Sequence, residues 1–416
     1  MTLVAHQKLP TDKVTIRMYR MGFGDCFLLS IPHEDGARRV LIDCGSIKKD
    51  PKLNKSTSEI SKQVIKDIRD DEGKARIDIL IASHRHKDHV AGFSDPVWDD
   101  VEVGEVWLPW TESDADPDAL ALRSLQDSVA TRLNAILGAR GKLGLAELAA
   151  NALSNAEAME RLKTGFKTRD RRKPRYIGAE DTDPQAMTTP HLPGVVVHVL
   201  GPPRDVAVIS RDLPHDDEEL FLRLGVGNET GSEAERNLLQ PFGREWVDDV
   251  AQILDPNHID LLEKAISMDA ENLLSAIEDS LNNTSIVLVF EIAGRFLLFP
   301  GDAQWGPWQQ IMANDEATKL LRKVSFYKVS HHASHNGTPQ KFVLDLVGKD
   351  TTDPLVAYVP VTPHGGYRDI PRPPLMEALS HRFDRLAISE IDKEQTGFVR
   401  QSKWSIDFEV EVDHTI

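Results

Sequence analysis

The sequence contains few cysteines and no long apolar run, and both features limit the class of protein. Only two cysteines, Cys26 and Cys44, occur in 416 residues, and both lie in apolar segments. Free, buried thiols in a reducing compartment are therefore favoured over a disulfide. No run of about eighteen or more apolar residues offers a membrane span, and the first residues lack a charged start followed by an apolar run. We expect a cytoplasmic protein that does not bind membranes.

Positive charge is also scarce. Lys and Arg number 49 against 66 Asp and Glu, which gives a formal net charge of −17. A surface this acidic repels polyanions at long range, so the class of general nucleic-acid coat proteins is excluded. A nuclease is not excluded, because a cleft lined by metal ions overrides the global field locally. With 40% hydrophobic residues, a packed core is expected rather than a disordered chain.

The pattern of strands and helices predicts a single domain over 1–416 with two helical insertions. Short β-rich runs dominate up to residue 110 and return at 194–203 and after residue 283. Between them, sequence rich in Ala, Leu and Glu predicts a helical insertion at about 112–190, and polar, acidic sequence predicts a second one at about 204–281. Two β-rich halves interrupted by helices favour an α+β, layered architecture over a doubly wound parallel sheet.

The densest group of potential metal ligands follows an apolar run at 77–83, which is typical of a strand buried on both faces. His84 and His86 alternate in the extended part of this segment, so their side chains point the same way. Asp88 and His89 follow where the chain turns and can face a second ion. Imidazole nitrogen and carboxylate oxygen suit zinc, manganese or iron. A solvated polar loop is the alternative, but four potential ligands packed this tightly strongly favour a metal site.

The spacing His-x-His-x-Asp-His after a buried strand resembles the signature of the metallo-β-lactamase superfamily, and further motifs follow in the family's order. GFGDCFLL and LIDCG resemble the opening hairpin, RFLLFPGDA resembles the Gly-Asp motif, and KVSHHASHNG resembles the HHGS segment. The set is most similar to the hydrolase domain of ComEC-like competence (DNA-uptake) proteins. The resemblance covers roughly 14–110, 194–203 and 282–380. It implies an αββα sandwich, here with helical insertions.

The resemblance also implies a metal centre built from both halves of the chain. Asp302 would bridge two ions, Asp88 would be a ligand that also orients the nucleophile, and Asp43 would support a ligand imidazole from behind. Two zinc ions are implied, with a single ion and Mn²⁺ as alternatives. Asp88 and Asp302 are the expected catalytic residues. The full ligand set is His84, His86, Asp88, His89, Asp302 and either His331 or His332.

The sequence departs from the family where many relatives place one more histidine, before the Gly-Asp motif. Here that position holds the run LNNT at 281–284, without histidine. The first metal site therefore has only His84 and His86 as firm ligands. It is weakly occupied, completed by Asn282 or Asn283, or empty until substrate arrives.

Hydrolysis is the chemistry expected of such a centre. Zinc-type ions lower the pKa of bound water toward neutrality and supply hydroxide without a strong side-chain base. Phosphodiester bonds are the leading substrate class because of the resemblance to the DNA-uptake branch, so a phosphodiesterase or nuclease is expected. A basic stretch at 161–175 supports this if it overhangs the cleft, although a solvated linker is slightly favoured. Its candidate phosphate contacts are Arg169, Arg171, Arg172 and Lys173.

Two alternative functions remain open. The first is a hydrolase of a small ester, a lactone or a cyclic phosphodiester, because the same metal machinery serves all of these and pocket shape selects among them. The second is a partner-bound module of a multiprotein system, in which the helical insertions contact a protein and catalysis is regulated or vestigial. Metal content separates the second alternative from a working hydrolase.

Overall fold

A computed structural model describes residues 13–70, 72–139, 155–166, 173–179, 184–211, 220, 277–362, 370–390 and 395–412, with the backbone alone for 132–139. These ranges contain two mixed β-sheets and helices, in agreement with the α+β class expected from the sequence. No helix within them is long and apolar enough to cross a membrane. Cys26 and Cys44 are free and buried, as predicted.

The secondary-structure elements within the described ranges are numbered in chain order. The strands are Lys13–Tyr19 (β1), Phe27–Ile31 (β2), Arg38–Ile42 (β3), Arg76–Ile81 (β4), Glu102–Pro109 (β5), Arg175–Ile177 (β6), Gln185–Met187 (β7), Val195–Gly201 (β8), Val287–Ile292 (β9), Arg295–Phe299 (β10), Val324–Lys328 (β11), Val356–Val359 (β12), Arg385–Ile388 (β13), Arg400–Gln401 (β14) and Ser405–Glu411 (β15). The helices are Thr57–Asp67 (α1), Lys87–Val90 (α2), Pro117–Ala139 (α3), Ala156–Thr164 (α4), Val206–Ile209 (α5), Trp305–Ala313 (α6), Asp315–Lys323 (α7) and Pro373–Arg382 (α8).

Each sheet has an antiparallel part and a parallel part. The first sheet has the strand order β14-β15-β1-β2-β3-β4-β5-β6, and pairing is antiparallel up to β3 and parallel from β3 to β6. The second has the order β13-β12-β11-β10-β9-β8-β7, parallel from β13 to β10 and antiparallel from β10 to β7. Loops that follow neighbouring parallel strands therefore leave from the same edge of each sheet.

One hydrophobic core lies between the two sheets. Phe27 of β2 contacts Phe299 of β10, with ring centroids 5.7 Å apart. In β9, Leu288 and Phe290 belong to this core, whereas Val289 packs on the opposite face of the sheet. Side chains alternate between the faces of a strand, so a strand that is apolar at every position is one that is covered on both faces.

Helices cover the outer face of each sheet. α1 begins with a capping box, in which Ser56 accepts from the backbone N–H of Glu59 and the Glu59 carboxylate accepts from that of Ser56. Its buried residues Ile60 and Val64, spaced as a helix requires, pack with α4 against the first sheet. Residues of α6, α7 and α8 pack against the second sheet.

The two predicted insertions differ in how much of them is described. The first, at about 112–190, contains α3 and α4, but it also contains two short strands that extend the sheets. β6 pairs in parallel with β5, and β7 pairs antiparallel with β8. Of the second insertion, at about 204–281, the structure describes 204–211, 220 and 277–281.

Candidate metal centre

The candidate metal centre lies where strands of the two sheets end. The segment 83–89 follows β4 of the first sheet, and Asp302 and His332 follow β10 and β11 of the second. These segments bring the carboxylates of Asp88 and Asp302 together with the imidazoles of His89 and His332. One donor atom from each lies within 4.8 Å of the other three. We call these residues the four-ligand cluster.

The spacing within the four-ligand cluster fits a single metal ion. His89 Nε2 and His332 Nε2 lie 3.0 and 3.3 Å from Asp302 Oδ2, and His332 Nε2 lies 3.1 Å from Asp88 Oδ2. Ligands about 2.0–2.1 Å from a tetrahedral zinc ion are about 3.3 Å from one another. Two nitrogens and two carboxylate oxygens also make a donor set that suits zinc or manganese.

Hydrogen bonds behind the cluster set the direction of both imidazoles. His89 Nδ1 lies 2.8 Å from Asp43 Oδ2, and His332 Nδ1 lies 2.8 Å from the carbonyl oxygen of Pro360. Both partners accept, so each ring donates from Nδ1, and Nε2 is the atom directed at the cluster. Asp43 also accepts from the backbone N–H and hydroxyl of Ser83 at 2.7 Å. Asp43 therefore lies behind the His89 imidazole, and its role as the support of a metal ligand stays a prediction.

The electrostatic environment of the four-ligand cluster favours a cation. Burial alone would lower the pKa of His332, but Asp302 and Asp88 outweigh it and raise that pKa to about 10. Burial would raise the pKa of the Asp302 carboxyl, but His89 and Lys328 hold it well below its usual range. The carboxylates thus stay ionised inside the protein, where an ionised group needs a positive partner.

A second group of donor atoms contains the other two histidines of the segment 83–89. His84 Nε2 is 3.0 Å from His86 Nδ1, which is 2.8 Å from Asn282 Oδ1. Burial lowers the pKa of both histidines, so both rings are neutral and each offers one lone pair. Lone pairs this close repel unless a proton or a cation lies between them. We call His84, His86 and Asn282 the three-donor group.

The two asparagines expected near this group have different roles. Asn282 belongs to the three-donor group, whereas Asn283 supports the backbone. The Asn283 amide donates to the carbonyl oxygens of Ile209 and Arg211 at 2.8 and 2.9 Å, and its own oxygen accepts from the N–H of Gln304 at 2.9 Å. These hydrogen bonds of Asn283 therefore fix the backbone next to Asn282.

The structure separates the two adjacent histidines that the sequence could not separate. His331 and His332 have φ values of 47° and 51°, a left-handed pair that sends the side chains apart. His332 joins the four-ligand cluster, but His331 lies outside it, with Nε2 3.2 Å from the Asn282 amide nitrogen and Nδ1 3.2 Å from Asn336 Oδ1. Burial lowers the pKa of His331 to about 4, so this ring is neutral.

A buried lysine lies behind the cluster. Lys328 Nζ is 2.6 Å from Asp25 Oδ2, 2.9 Å from Asp302 Oδ1 and 2.7 Å from the carbonyl oxygen of Gly301. Burial alone would lower the pKa of this ammonium group, but Asp25 and Asp302 outweigh it and raise the pKa, so the group stays charged. Because Asp302 Oδ1 pairs with Lys328, Asp302 Oδ2 is the oxygen turned toward the cluster.

Asp25 and Lys328 were missed as site residues in the sequence. Asp25 stands in the GFGDC motif and Lys328 in the KVSHH motif, but neither motif assigned them a role. A charged residue at the end of an otherwise apolar strand is the available signal, because a buried charge requires a partner. The backbone N–H of Asp25 also donates to the carbonyl oxygen of Asp88 at 2.9 Å, which ties the opening hairpin to the ligand segment.

Lys173 is the candidate phosphate contact of the basic stretch that lies within the described residues. Arg169, Arg171 and Arg172 lie outside the described residues. The Lys173 side chain is exposed and lies shortly before β6. A role of this stretch in phosphate binding stays a prediction.

Gly45 is expected to be essential for the position of the ligand segment. A Cβ at this residue would lie 2.4 Å from the carbonyl oxygen of Lys87 and 2.5 Å from backbone atoms of Asp88 and His89. Gly45→Ala should therefore displace both ligands, destabilise the fold by about 1–3 kcal/mol and weaken metal binding by about 10–100-fold. Denaturant unfolding and metal titration measure the two effects. Gly294→Ala, in the β9–β10 turn, is the control and should leave metal affinity unchanged.

Comparison with models of known protein families and with curated proteins finds no match to this chain.

Proposed function

We propose that this protein is a metal-dependent hydrolase with the αββα sandwich of the metallo-β-lactamase superfamily. The observation that carries the proposal is the convergence of Asp88, His89, Asp302 and His332, from three separate segments, at distances that suit one metal ion. The three-donor group beside it supports a second ion. The order of layers, with helices outside two facing sheets, supports the fold assignment.

The residues of the chain have distinct tasks in this proposal. The four-ligand cluster and the three-donor group would hold zinc ions, or Mn²⁺, and a bound ion supplies Lewis acidity and lowers the pKa of water. Asp43 and the carbonyl of Pro360 keep the Nε2 atoms of His89 and His332 directed at the ion. Lys328 fixes Asp302 through its other oxygen. The site is therefore organised before a ligand arrives.

A phosphodiester is the substrate class that we propose first. Its support is the resemblance to the hydrolase domain of DNA-uptake proteins, together with the chemistry of paired divalent ions, which stabilise both the attacking and the leaving oxygen of a phosphoryl group. Bound ions would also offset the local carboxylate charge that otherwise repels a polyanion.

A small ester, lactone or cyclic phosphodiester is the second candidate, and one observation favours it. Two cations close to the ligand segment already have acidic partners. Arg85 lies 3.6 Å from Glu112 and 3.4 Å from Asp127, and Lys328 pairs with Asp25 and Asp302. Cations that are already paired attract a long polyanion less than free ones do.

Metal analysis followed by a substrate panel tests the proposal. We expect the purified protein to contain one to two equivalents of zinc or manganese, and to lose hydrolysis on chelation and regain it when the ion is restored. The panel contains single- and double-stranded DNA, RNA, bis-p-nitrophenyl phosphate, a lactone and a β-lactam. Cleavage of the lactone or β-lactam alone would replace the phosphodiester assignment with the second candidate. A protein that binds no metal and cleaves nothing would instead favour a vestigial, partner-bound module.

A further inference from the structure

A helical turn at 277–282 contacts both ring nitrogens of His86. Asn282 Oδ1 lies 2.8 Å from His86 Nδ1, and Glu278 Oε2 lies 3.4 Å from His86 Nε2. Residues four apart lie on the same face of a helix, so one face of this turn presents both side chains to the imidazole. The carboxylate of Glu278 belongs neither to the four-ligand cluster nor to the three-donor group.

In the described part of the chain, each side chain of the Glu278–His86 pair has one buried polar atom without a hydrogen-bond partner, and for Glu278 this is Oε1, not the contacting Oε2. Among the described residues, the buried atoms His86 Nε2 and Glu278 Oε1 have no hydrogen-bond partner. A buried polar atom without a partner costs about 1–3 kcal/mol. The separation of 3.4 Å is slightly longer than a normal N–H···O hydrogen bond.

We propose that Glu278 is a positioning residue for a divalent cation at the three-donor group. With the cation bound, Glu278 accepts a hydrogen bond from His86 Nε2–H, so that the Nδ1 lone pair is directed between His84 Nε2 and Asn282 Oδ1. This inference rests on the proposed function. In this proposal, residues of the helical turn take the place of the third histidine that many relatives have and this sequence lacks. Asn282 supplies a donor atom, and Glu278 fixes the tautomer and orientation of a donor ring.

The helical turn is held from two sides. The Gln126 amide on α3 donates to the Ser280 hydroxyl at 3.1 Å, and the Gln304 amide donates to Asp279 Oδ1 at 2.8 Å. The first helical insertion therefore supports the turn that carries Glu278. The Gln126–Ser280 hydrogen bond holds α3 against the turn and therefore close to the ligand segment.

Two competing arrangements make different predictions. In the first, Glu278 is protonated and donates to His86 Nε2. The imidazole proton then lies on Nδ1, so Nδ1 has no lone pair to offer a metal ion. In the second, the Glu278 carboxylate binds the metal ion directly, so its negative charge is essential. The tautomer of His86 distinguishes the first arrangement, and the Glu278→Gln variant distinguishes the second.

The experiment combines histidine ¹⁵N NMR with zinc titration of the full chain. Long-range ¹H–¹⁵N spectra of the zinc-loaded protein should show the His86 proton on Nε2, and Glu278→Ala should move it to Nδ1. The His86 signals are assigned by their loss in His86→Gln. Zinc titration of Glu278→Ala should show one binding step weakened by about 10–100-fold, with the other unchanged. Glu278→Gln, whose amide oxygen still accepts, should keep the tautomer and most of the affinity.

Glu291→Ala serves as the matched control. Glu291 forms a comparable pair with His198 at 2.8 Å on the second sheet, and its removal should leave both zinc steps and the His86 signal unchanged. The proposal is overturned if His86 carries its proton on Nδ1 in the zinc-loaded wild type, if Glu278→Ala leaves both readouts unchanged, or if Glu278→Gln is as damaging as Glu278→Ala. Absence of zinc binding in the wild type would reject the proposed function and this inference together. Two zinc steps that are both unaffected by Glu278→Ala would reject the inference alone.

Discussion

Replacement of His332 by alanine is expected to remove the metal ion from the four-ligand cluster and to abolish hydrolysis. His332 Nε2 lies 3.1 Å from Asp88 Oδ2 and 3.3 Å from Asp302 Oδ2, so it is the ligand that joins the two carboxylates. Loss of a catalytic metal removes several kcal/mol of transition-state stabilisation, so kcat/KM should fall by at least about 10³-fold. Elemental analysis after dialysis and kinetics on bis-p-nitrophenyl phosphate measure the two losses.

The neighbouring His331→Ala variant is the control for this prediction. His331 contacts Asn282 and Asn336 and lies outside the four-ligand cluster. The variant should therefore retain the metal ion of that cluster, whatever its effect on turnover. Retention of that ion by His332→Ala together with its loss from His331→Ala would show that the two histidines are assigned the wrong way round.

Replacement of Lys328 by methionine is expected to give the largest loss of stability. Its ammonium group is the buried cation between Asp25 and Asp302, and the side chains of all three residues are at most 2% exposed. Methionine fills a similar volume without the charge, so two carboxylates are left buried without their partner. Breaking a buried ion pair in this way costs about 3–5 kcal/mol. Urea unfolding of the metal-free protein measures the change in the free energy of unfolding.

Two further variants test whether charge causes this loss. Asp25→Asn combined with Lys328→Met removes a carboxylate together with its cation, so it should recover part of the stability lost in the single variant. Lys319→Met removes a lysine that is 64% exposed and paired with Glu316, so it should change stability by no more than about 0.5 kcal/mol. Equal losses in the single and double variants would mean that packing, and not charge, explains the effect.

The strands that carry the ligands were predictable because their sequence patterns are strong. The apolar run 77–83 is the buried strand β4 and its end, and 284–300 contains the hairpin β9–β10 with Ala293 and Gly294 at positive φ in the turn. These patterns follow from local alternation and turn chemistry. The short strands β6 and β7 were not predicted, because three residues give too little alternation and both exist only through pairing with a neighbour.

The candidate site was only partly predictable from motifs. The motifs predicted Asp43 and Asp302 as site residues, and the structure brings Asp43 to His89 and Asp302 to Asp88, His89 and His332. Their roles at a metal ion stay predictions. The contacts of Lys328 and Glu278 were not predicted, because Lys328 has no assigned role within its motif and Glu278 belongs to no motif. Their relevance depends on contacts with residues far away in the sequence, and such contacts leave no local pattern.

The sequence alone determined the spacing of potential ligands and the apolar strands that precede them, because both are properties of neighbouring residues. Tertiary structure decided which donor atoms meet. The left-handed backbone at His331 and His332 turns only one ring into the four-ligand cluster. The fold also brings Asp25 to Lys328 and the turn at 277–282 to His86. Side-chain direction and buried charge pairing depend on the packing of distant segments, which only the folded chain defines.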